Sequence, residues 1–344
     1  MILKIGQRII SKNHNPLIIA EIGINHNGSL EKAINIASSA IKSGAEVIKH
    51  QTHIVDDEYS FHAKKIKPGN SNKNIYSIMK KCSLSEEDEF KLMKFVKSKK
   101  KIFISTPFSR KAADRLFKFK IPAIKIGSGE CNNILLVEYL AKRKIPLILS
   151  TGMNDINSVS RTVSIINKYH NKLGILHCTN VYPAKYNSLR LNAINDLIKK
   201  FKNNVIGYSD HSETIYPSLA AVSLGALIIE KHFINNKKVR GPDIKCSMDP
   251  EELKKLIEGS KIIKDSLPGK KYLHPSEKIT SRFAFASIVA SKFIHKSQEI
   301  NLNNITVKRP GTGDFLAYEY KKVIGKKSLR NIYPDEQLKK KWIK

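Results

Sequence analysis

Eight short apolar runs recur along the chain, and each ends in a polar or charged residue: Leu17–Glu21, Val47–Gln51, Ile102–Thr106, Ile124–Ser128, Leu147–Thr151, Gly174–Asn180, Val205–Asp210 and Ala226–His232. Runs of this length read as strands buried on both faces of a parallel sheet. Stretches with helical spacing of apolar residues separate them. Leu30, Ala33, Ile34, Ala37, Ala40 and Ile41 share one helical face, with Gly44 following. Ser85 with Asp88 resembles a capping box, and Asp249-Pro250-Glu251-Glu252 is a clearer helix start, running to about Leu267. Eight strand–helix units are the count of a (β/α)8 barrel, the fold class expected here. In that fold chemistry sits at the C-terminal ends of the strands. Those ends carry Glu21, Lys49, Gln51, Thr106, Lys125, Ser128, Glu130, Ser150, Asn180, Ser209, Asp210, His211 and His232. That concentration points to an enzyme.

The barrel is expected over residues 1–267. Pro268-Gly269 breaks the pattern, and residues 268–282 read as a linker. Residues 283–344 form a tail domain near the lower size limit for a self-sufficient core, with short runs at Ala286–Val289, Ile305–Val307 and Lys322–Ile324. A long loop, His53 to about Ser83, follows the second strand, and loops of that length inside a barrel are usually functional.

The net charge is +31, which invites a nucleic-acid reading. Its distribution argues otherwise. Residues 281–344 hold 14 Lys and Arg against 5 Asp and Glu, so the excess is spread over barrel and tail with no dense arm. A solvated basic surface that attracts anionic substrates is expected, with no nucleic-acid partner. No apolar stretch is long enough to cross a membrane, and the first residues lack the pattern of a secretion signal. Cys82, Cys131, Cys178 and Cys246 give no disulfide framework and no C-x-x-C pair. A reduced, cytoplasmic enzyme is the expectation.

Three groups of residues could carry chemistry. His211 and His232 stand at the ends of neighbouring strands, where two imidazoles can share one divalent cation and leave positions open for substrate oxygens. Glu21, Glu130 and Asp243 are barrel-top carboxylates that could act as acid, base or hydroxyl acceptor, or simply pair with a lysine. Lys49 and Lys125, with Thr106, Ser128 and Ser150 and the glycine-flanked amides of Gly127-Ser128-Gly129, make a site for a small polyanion. A Schiff-base lysine is an equally open reading of the same pair. Gly23 and Gly28 have the wrong spacing for a dinucleotide fingerprint. A non-catalytic carbohydrate- or nucleic-acid-binding protein is a third reading.

The ordered segments Glu21–Gly28, Val47–Val55, Pro68–Asn70, Ile104–Arg110, Lys125–Asn133, Leu149–Asn154, His177–Asn180, Ile206–His211, Glu230–Phe233, Gly241–Met248 and Lys308–Gly311 together resemble the motifs of bacterial N-acetylneuraminate (sialic acid) synthases. The tail resembles that family's C-terminal antifreeze-like (SAF) domain of β-clip fold. The resemblance implies condensation of phosphoenolpyruvate with N-acetylmannosamine and water, giving N-acetylneuraminate and phosphate with C–O cleavage. It implies that Lys49, Thr106, Lys125, Ser128, Ser150, Asn180 and Ser209 hold phosphoenolpyruvate. His211 and His232 would hold Mn2+ or Mg2+. Gln51, Asn70, Tyr182 and Asp243 would contact the sugar, and Glu21 and Glu130 would handle protons of the attacking water. Arg309 would reach the N-acetyl group of sugar bound in the other subunit of a domain-swapped homodimer. A related synthase of legionaminate or pseudaminate is the alternative, and the long His53–Ser83 segment matches the neuraminate type better.

Overall fold

The computed structural model describes residues 1–68, 72–239 and 241–344. Asn70, expected at the sugar site, lies outside the described residues. The chain divides into two compact units, Met1–Pro268 and Gly269–Lys344.

The first unit opens with a hairpin, β1 (Leu3–Ile5) and β2 (Arg8–Ile10), that the sequence reading did not contain. Gly6, at φ +57°, supplies the left-handed position of its two-residue turn. Eight parallel strands then close into a barrel: β3 (Leu17–Gly23), β4 (Val47–Thr52), β5 (Ile102–Pro107), β6 (Ile124–Ile126), β7 (Leu147–Ser150), β8 (Leu173–Cys178), β9 (Val205–Asp210) and β10 (Ile228–His232). All eight expected strands are present. β6 is shorter than read, because Ser128 already leads into the 3-10 turn Gly129–Asn132.

Two apolar layers hold the barrel. Outward-facing Ile18, Ala20, Ile22, Ile48 and Phe103 pack against helix residues such as Ile36, Ala37, Leu92 and Val96. Inward-facing Ile19, Val47, Ile104, Ala123, Ile148, Leu176 and Ile228 fill the lower barrel, and Leu3, Ile5 and Ile10 of the hairpin join them from below. Side chains alternate faces with period two along a strand. Two residues beyond each inward apolar position the inward residue is Glu21, Lys49, Thr106, Lys125, Ser150, Cys178 or Glu230. The apolar plug is therefore the floor on which a polar layer stands.

Gly207 makes that packing possible on β9. A Cβ there would stand 2.4 Å from the Ile228 carbonyl oxygen and 2.6 Å from Leu176 Cδ2. Gly207→Ala should destabilise the first unit by about 1–3 kcal/mol, since a backbone carbonyl in a closed barrel cannot step aside. Urea unfolding checks this; an unchanged midpoint would mean that the strands can separate locally.

Helix termini follow local chemistry. Asp249 caps the helix Pro250–Ser266 with a full capping box, both Asp249 with the Glu252 N–H and Glu252 with the Asp249 N–H. Ser85 caps Glu86–Ser98 through the Asp88 N–H alone. The segment 53–83 is not one open loop: it holds helices Val55–Glu58 and Ile75–Cys82 and a 3-10 helix Phe61–Lys65. Their shortness hides them from a periodicity reading.

In the second unit β11 (Ser287–Ala290) and β12 (Ile305–Lys308) pair antiparallel. Ile288, Ala290, Ile294, Ile300, Phe315, Val323, Ile332 and Leu338 are among the residues of its core. Lys322–Ile324 is not a strand: a 3-10 helix, Ala317–Lys322, ends there. The stretch 268–282, read as a linker, contains the 3-10 turn Pro275–Glu277 and the start of a helix, Lys278–Ala284. The four cysteines are free and buried.

Candidate active site

The C-terminal ends of the strands surround a cavity of about 370 Å³. Thirteen of the expected residues line it: Glu21, Lys49, Gln51, Thr106, Lys125, Ser128, Glu130, Ser150, Asn180, Tyr182, Ser209, His211 and His232. Asp243 is buried and stands behind His232, its Oδ2 3.7 Å from the ring Nδ1, and is not among the lining residues. Arg309 lies in the second unit, exposed, just beyond β12. Asp210, at the end of β9, points away from the cavity. It accepts from Ser218 Oγ (2.6 Å) and the Ser212 N–H (2.8 Å) and pairs with the fully buried Lys231 (3.2 Å). That saturated knot anchors the chain on which His211 sits.

The floor of the cavity is a lattice of two cations and two carboxylates. Lys49 Nζ is in contact with Glu21 Oε2 and donates to Thr106 Oγ1 at 3.2 Å. Lys125 Nζ donates to Ser150 Oγ at 2.7 Å. Glu230 Oε1 lies between the two, 3.7 Å from Lys49 and 3.6 Å from Lys125, and accepts from Ser209 Oγ at 3.2 Å. The sequence reading missed Glu230. Its signal lies in the alternation of β10, where Glu230 and His232 share the inward face. Glu21 is also pinned by the Gly23 N–H, at a register shift between Glu21 and Gly23 where Gly23 takes φ +48°. Burial holds the Lys49 ammonium down to about 8, with Glu230 opposing and Lys125 adding to the shift.

Glu130 is different in kind. It folds back over Gly127, where a Cβ would stand 2.6 Å from its Oε2, and that oxygen is buried without a hydrogen-bond partner among the described residues. Burial, then the neighbouring Glu58 carboxylate, pushes its carboxyl up to about 7. A carboxyl of that pKa exchanges protons near neutrality, which suits general acid–base work.

His211 and His232 face each other with ring centroids 5.5 Å apart, and Tyr182 stacks on His211 at 4.1 Å. Nδ1 of His211 is 3.0 Å from the Thr179 carbonyl oxygen and donates to it, so in the neutral ring Nε2 is the lone-pair nitrogen; against the lowering by burial, Cys178 and that hydrogen bond raise the ring's pKa, so a metal binding there displaces a proton. Nδ1 of His232 is buried without a hydrogen-bond partner among the described residues. Burial, then His211 and the lysines, keeps the His232 ring well below the usual imidazole range and therefore neutral. A neutral imidazole with an unused buried nitrogen, beside a second with a free Nε2, fits a divalent cation. Among the described residues no group of three or more His, Cys, Asp or Glu converges to hold an ion by itself.

Comparison with known proteins bears on the whole chain. The NeuB family model matches residues 10–272 and the SAF domain model residues 285–343. The chain belongs to the NeuB family. An uncharacterized protein of Methanocaldococcus jannaschii is 37% identical over 98% of this chain and 96% of its own length. The N,N'-diacetyllegionaminic acid synthase of Campylobacter jejuni is 36% identical over 94% of this chain and 98% of its own. Among solved structures, the sialic acid synthetase of Leptospira borgpetersenii superposes with a TM-score of 0.75 at 30% identity, covering 81% of this chain and 95% of that one. The chain is thus a NeuB-family synthase, an enzyme of the phosphoenolpyruvate-dependent condensing class, with a C-terminal SAF domain. Among its described residues no helix is long and apolar enough to cross a membrane.

Proposed function

We propose that the protein condenses phosphoenolpyruvate with the open chain of N-acetylmannosamine, giving N-acetylneuraminate and phosphate. The observation that carries this reading is the floor lattice: two buried lysines, already oriented by hydroxyls and carboxylates, beside a proton-exchanging carboxyl and two imidazoles. An entering phosphate–carboxylate dianion exchanges one set of anionic partners for another around Lys49 and Lys125, with Ser150, Ser209 and Thr106 supplying further hydrogen bonds. Holding phosphoenolpyruvate against the aldehyde makes the addition effectively unimolecular. C3 attacks the aldehyde carbon and water adds at C2; Glu130 accepts the proton that the water gives up, the former aldehyde oxygen takes up a proton to become the new hydroxyl, and the remaining proton of the C2 hydroxyl departs with the phosphate as the C2 carbonyl forms. Phosphate then leaves with its bridging oxygen. His211 and His232 are the residues that would hold Mn2+ or Mg2+, which supplies Lewis-acid polarisation of a carbonyl oxygen when bound. A second reading, condensation with a hexose bearing two acetamido groups, is favoured by the 36% identity to the N,N'-diacetyllegionaminic acid synthase.

Phosphate release from phosphoenolpyruvate across a panel of singly and doubly N-acetylated hexosamines tests the reading and identifies the sugar. In 18O water the label should enter the keto acid and not the phosphate; labelled phosphate would overturn the assignment. Borohydride should trap no lysine adduct, because both lysines are engaged as cations.

The two shifted groups set a pH profile. Glu130 is ionised only above about 7, and Lys49 loses its charge above about 8. The pH dependence of kcat/KM for phosphoenolpyruvate should therefore be bell-shaped with its maximum between these values. Glu130→Gln should remove the rising limb and lower kcat more than it raises KM; an effect confined to KM would make Glu130 a binding group.

We further propose that the enzyme works as a homodimer in which Arg309 of one subunit serves the sugar bound in the barrel of another. Arg309→Ala should weaken amino-sugar use with phosphoenolpyruvate binding retained. Mixing it with Glu130→Gln should restore some turnover once subunits exchange; no recovery after demonstrated exchange would rule out action across the interface.

A further inference from the structure

The loop after β7 is tied to the loop after β6 from behind the cavity. Gly152 is buried, and its N–H donates to Ser128 Oγ at 3.0 Å. Only glycine allows that approach: a Cβ would stand 2.8 Å from the same oxygen and 3.1 Å from Asn180 Cβ. Asn154, two residues on, does not line the cavity. Its Nδ2 donates twice, to the Ser128 carbonyl at 3.0 Å and to the Gly152 carbonyl at 2.6 Å. The Ser128 carbonyl also accepts from the Cys131 N–H at 3.4 Å, so Asn154 makes the shorter of its two bonds. The Asn154 N–H closes the turn onto the Thr151 carbonyl at 3.2 Å. Inside that turn Met153 takes φ +64°, a left-handed conformation that favours glycine. A disfavoured backbone of this kind persists only where its surroundings fix it.

Every donor in this clamp is fixed by chemistry. Carbonyl oxygens only accept, so the end of the Asn154 amide that faces two of them is the NH2. A backbone N–H only donates, so Ser128 Oγ is the acceptor toward Gly152. The Ser128 hydrogen therefore cannot turn back onto the loop. Ser128 lines the cavity, where the weakly accepting Cys178 thiol is within its reach and an entering anion is the stronger acceptor. Thr106 and Ser150 are primed alike, their oxygens accepting from Lys49 and Lys125. At Ser128 the donor is a loop amide instead. It has no charge to keep it on the oxygen, and its place depends on how the loop is held.

We propose that Asn154 is a positioning residue: it holds the Gly152 N–H on Ser128 Oγ and so keeps the Ser128 hydroxyl turned to the cavity as a hydrogen-bond donor for the phosphoenolpyruvate anion. The inference rests on the synthase reading above. It concerns phosphoenolpyruvate and not the amino sugar, because only the anion carries charge for a polarised O–H to answer.

A double-mutant cycle tests it, read by calorimetric titration of the full-length enzyme with phosphoenolpyruvate. Ser128→Ala should raise Kd about tenfold and Asn154→Ala about fivefold, the scale of one hydrogen bond to an anion lost outright or misdirected. The double variant should stay near tenfold, because Asn154 acts only through Ser128; the product of the two losses, about fiftyfold, would show independent action and overturn the proposal. In Asn154→Ala, KM for the hexosamine of highest turnover in the panel should stay within about twofold, a split that a general loosening of the loop would not give. A parallel rise in that KM, or an unchanged Kd for phosphoenolpyruvate, would each overturn the idea. Should Asn154→Ala fail to fold, Asn154→Ser takes its place in the cycle. Its hydroxyl can donate to one carbonyl but not to both, so Kd must still rise beside Ser128 and must not rise further beside Ser128→Ala; a wild-type Kd overturns the proposal. If the wild-type enzyme binds no phosphoenolpyruvate, the synthase reading has failed first. If it does and Asn154→Ala binds as wild type, only this inference falls.

Discussion

Lys125→Met should weaken phosphoenolpyruvate binding about 100-fold, the worth of a charge-assisted contact in a buried site. Lys125 is 2% exposed, and its ammonium is shared between Ser150 Oγ and Glu230. Methionine keeps the length of the side chain and removes the charge. The loss falls on the anion because the amino sugar has no charge for Lys125 to attract. A stability cost comes with it: Glu230 loses one of its two lysine partners, Lys49 remaining, and breaking one side of a buried pair typically costs about 3–5 kcal/mol. Calorimetric titration with phosphoenolpyruvate on the folded variant separates the two effects. An unchanged Kd would mean that Lys125 serves the ion lattice alone. Lys125→Gln,Glu230→Gln would then tell whether stability returns when both charges are removed together.

Chelation should take phosphate release down by about a thousandfold or more, the scale expected when Lewis-acid stabilisation worth several kcal/mol is withdrawn. Mn2+ or Mg2+ should restore the wild type. His232→Ala should not recover at metal concentrations that saturate the wild type, because it removes a buried, neutral imidazole whose Nδ1 makes no hydrogen bond among the described residues. His211→Ala should behave alike, with a further loss of the stacking surface for Tyr182. The readout need not be turnover: added Mn2+ should raise the melting temperature of the wild type and of neither variant, by mass action on the folded state. Full turnover after verified metal removal would sink this assignment. So would an equal thermal shift in His232→Ala.

Both predictions lean on residues that the sequence exposes directly. Period-two alternation puts Lys49, Lys125 and Ser150 inward at strand ends, and apolar runs of strand length repeat eight times, so barrel and cationic floor were both legible. The same alternation marks Glu230, overlooked because a strand interior reads as core until its neighbours across the barrel are known. The hairpin β1–β2 was overlooked for a related reason. Three-residue strands carry almost no periodic signal, and their burial comes from the barrel floor they plug.

The linear order of residues determined the fold class, the alternation that separates apolar floor from polar layer, and the two histidines at neighbouring strand ends. Those are properties of local spacing, and local spacing is written in the chain. Only the tertiary structure decided which charges meet. Glu21 took Lys49, Glu230 came to lie between both lysines, and Glu130 was left with a buried oxygen that has no hydrogen-bond partner among the described residues. It also set Asp210 to Lys231 outside the barrel. Pairing energies fall off over a few ångströms, and burial sets their size. The pKa of a buried group such as Glu130 or Lys49 therefore depends on neighbours that the sequence places tens or hundreds of residues away.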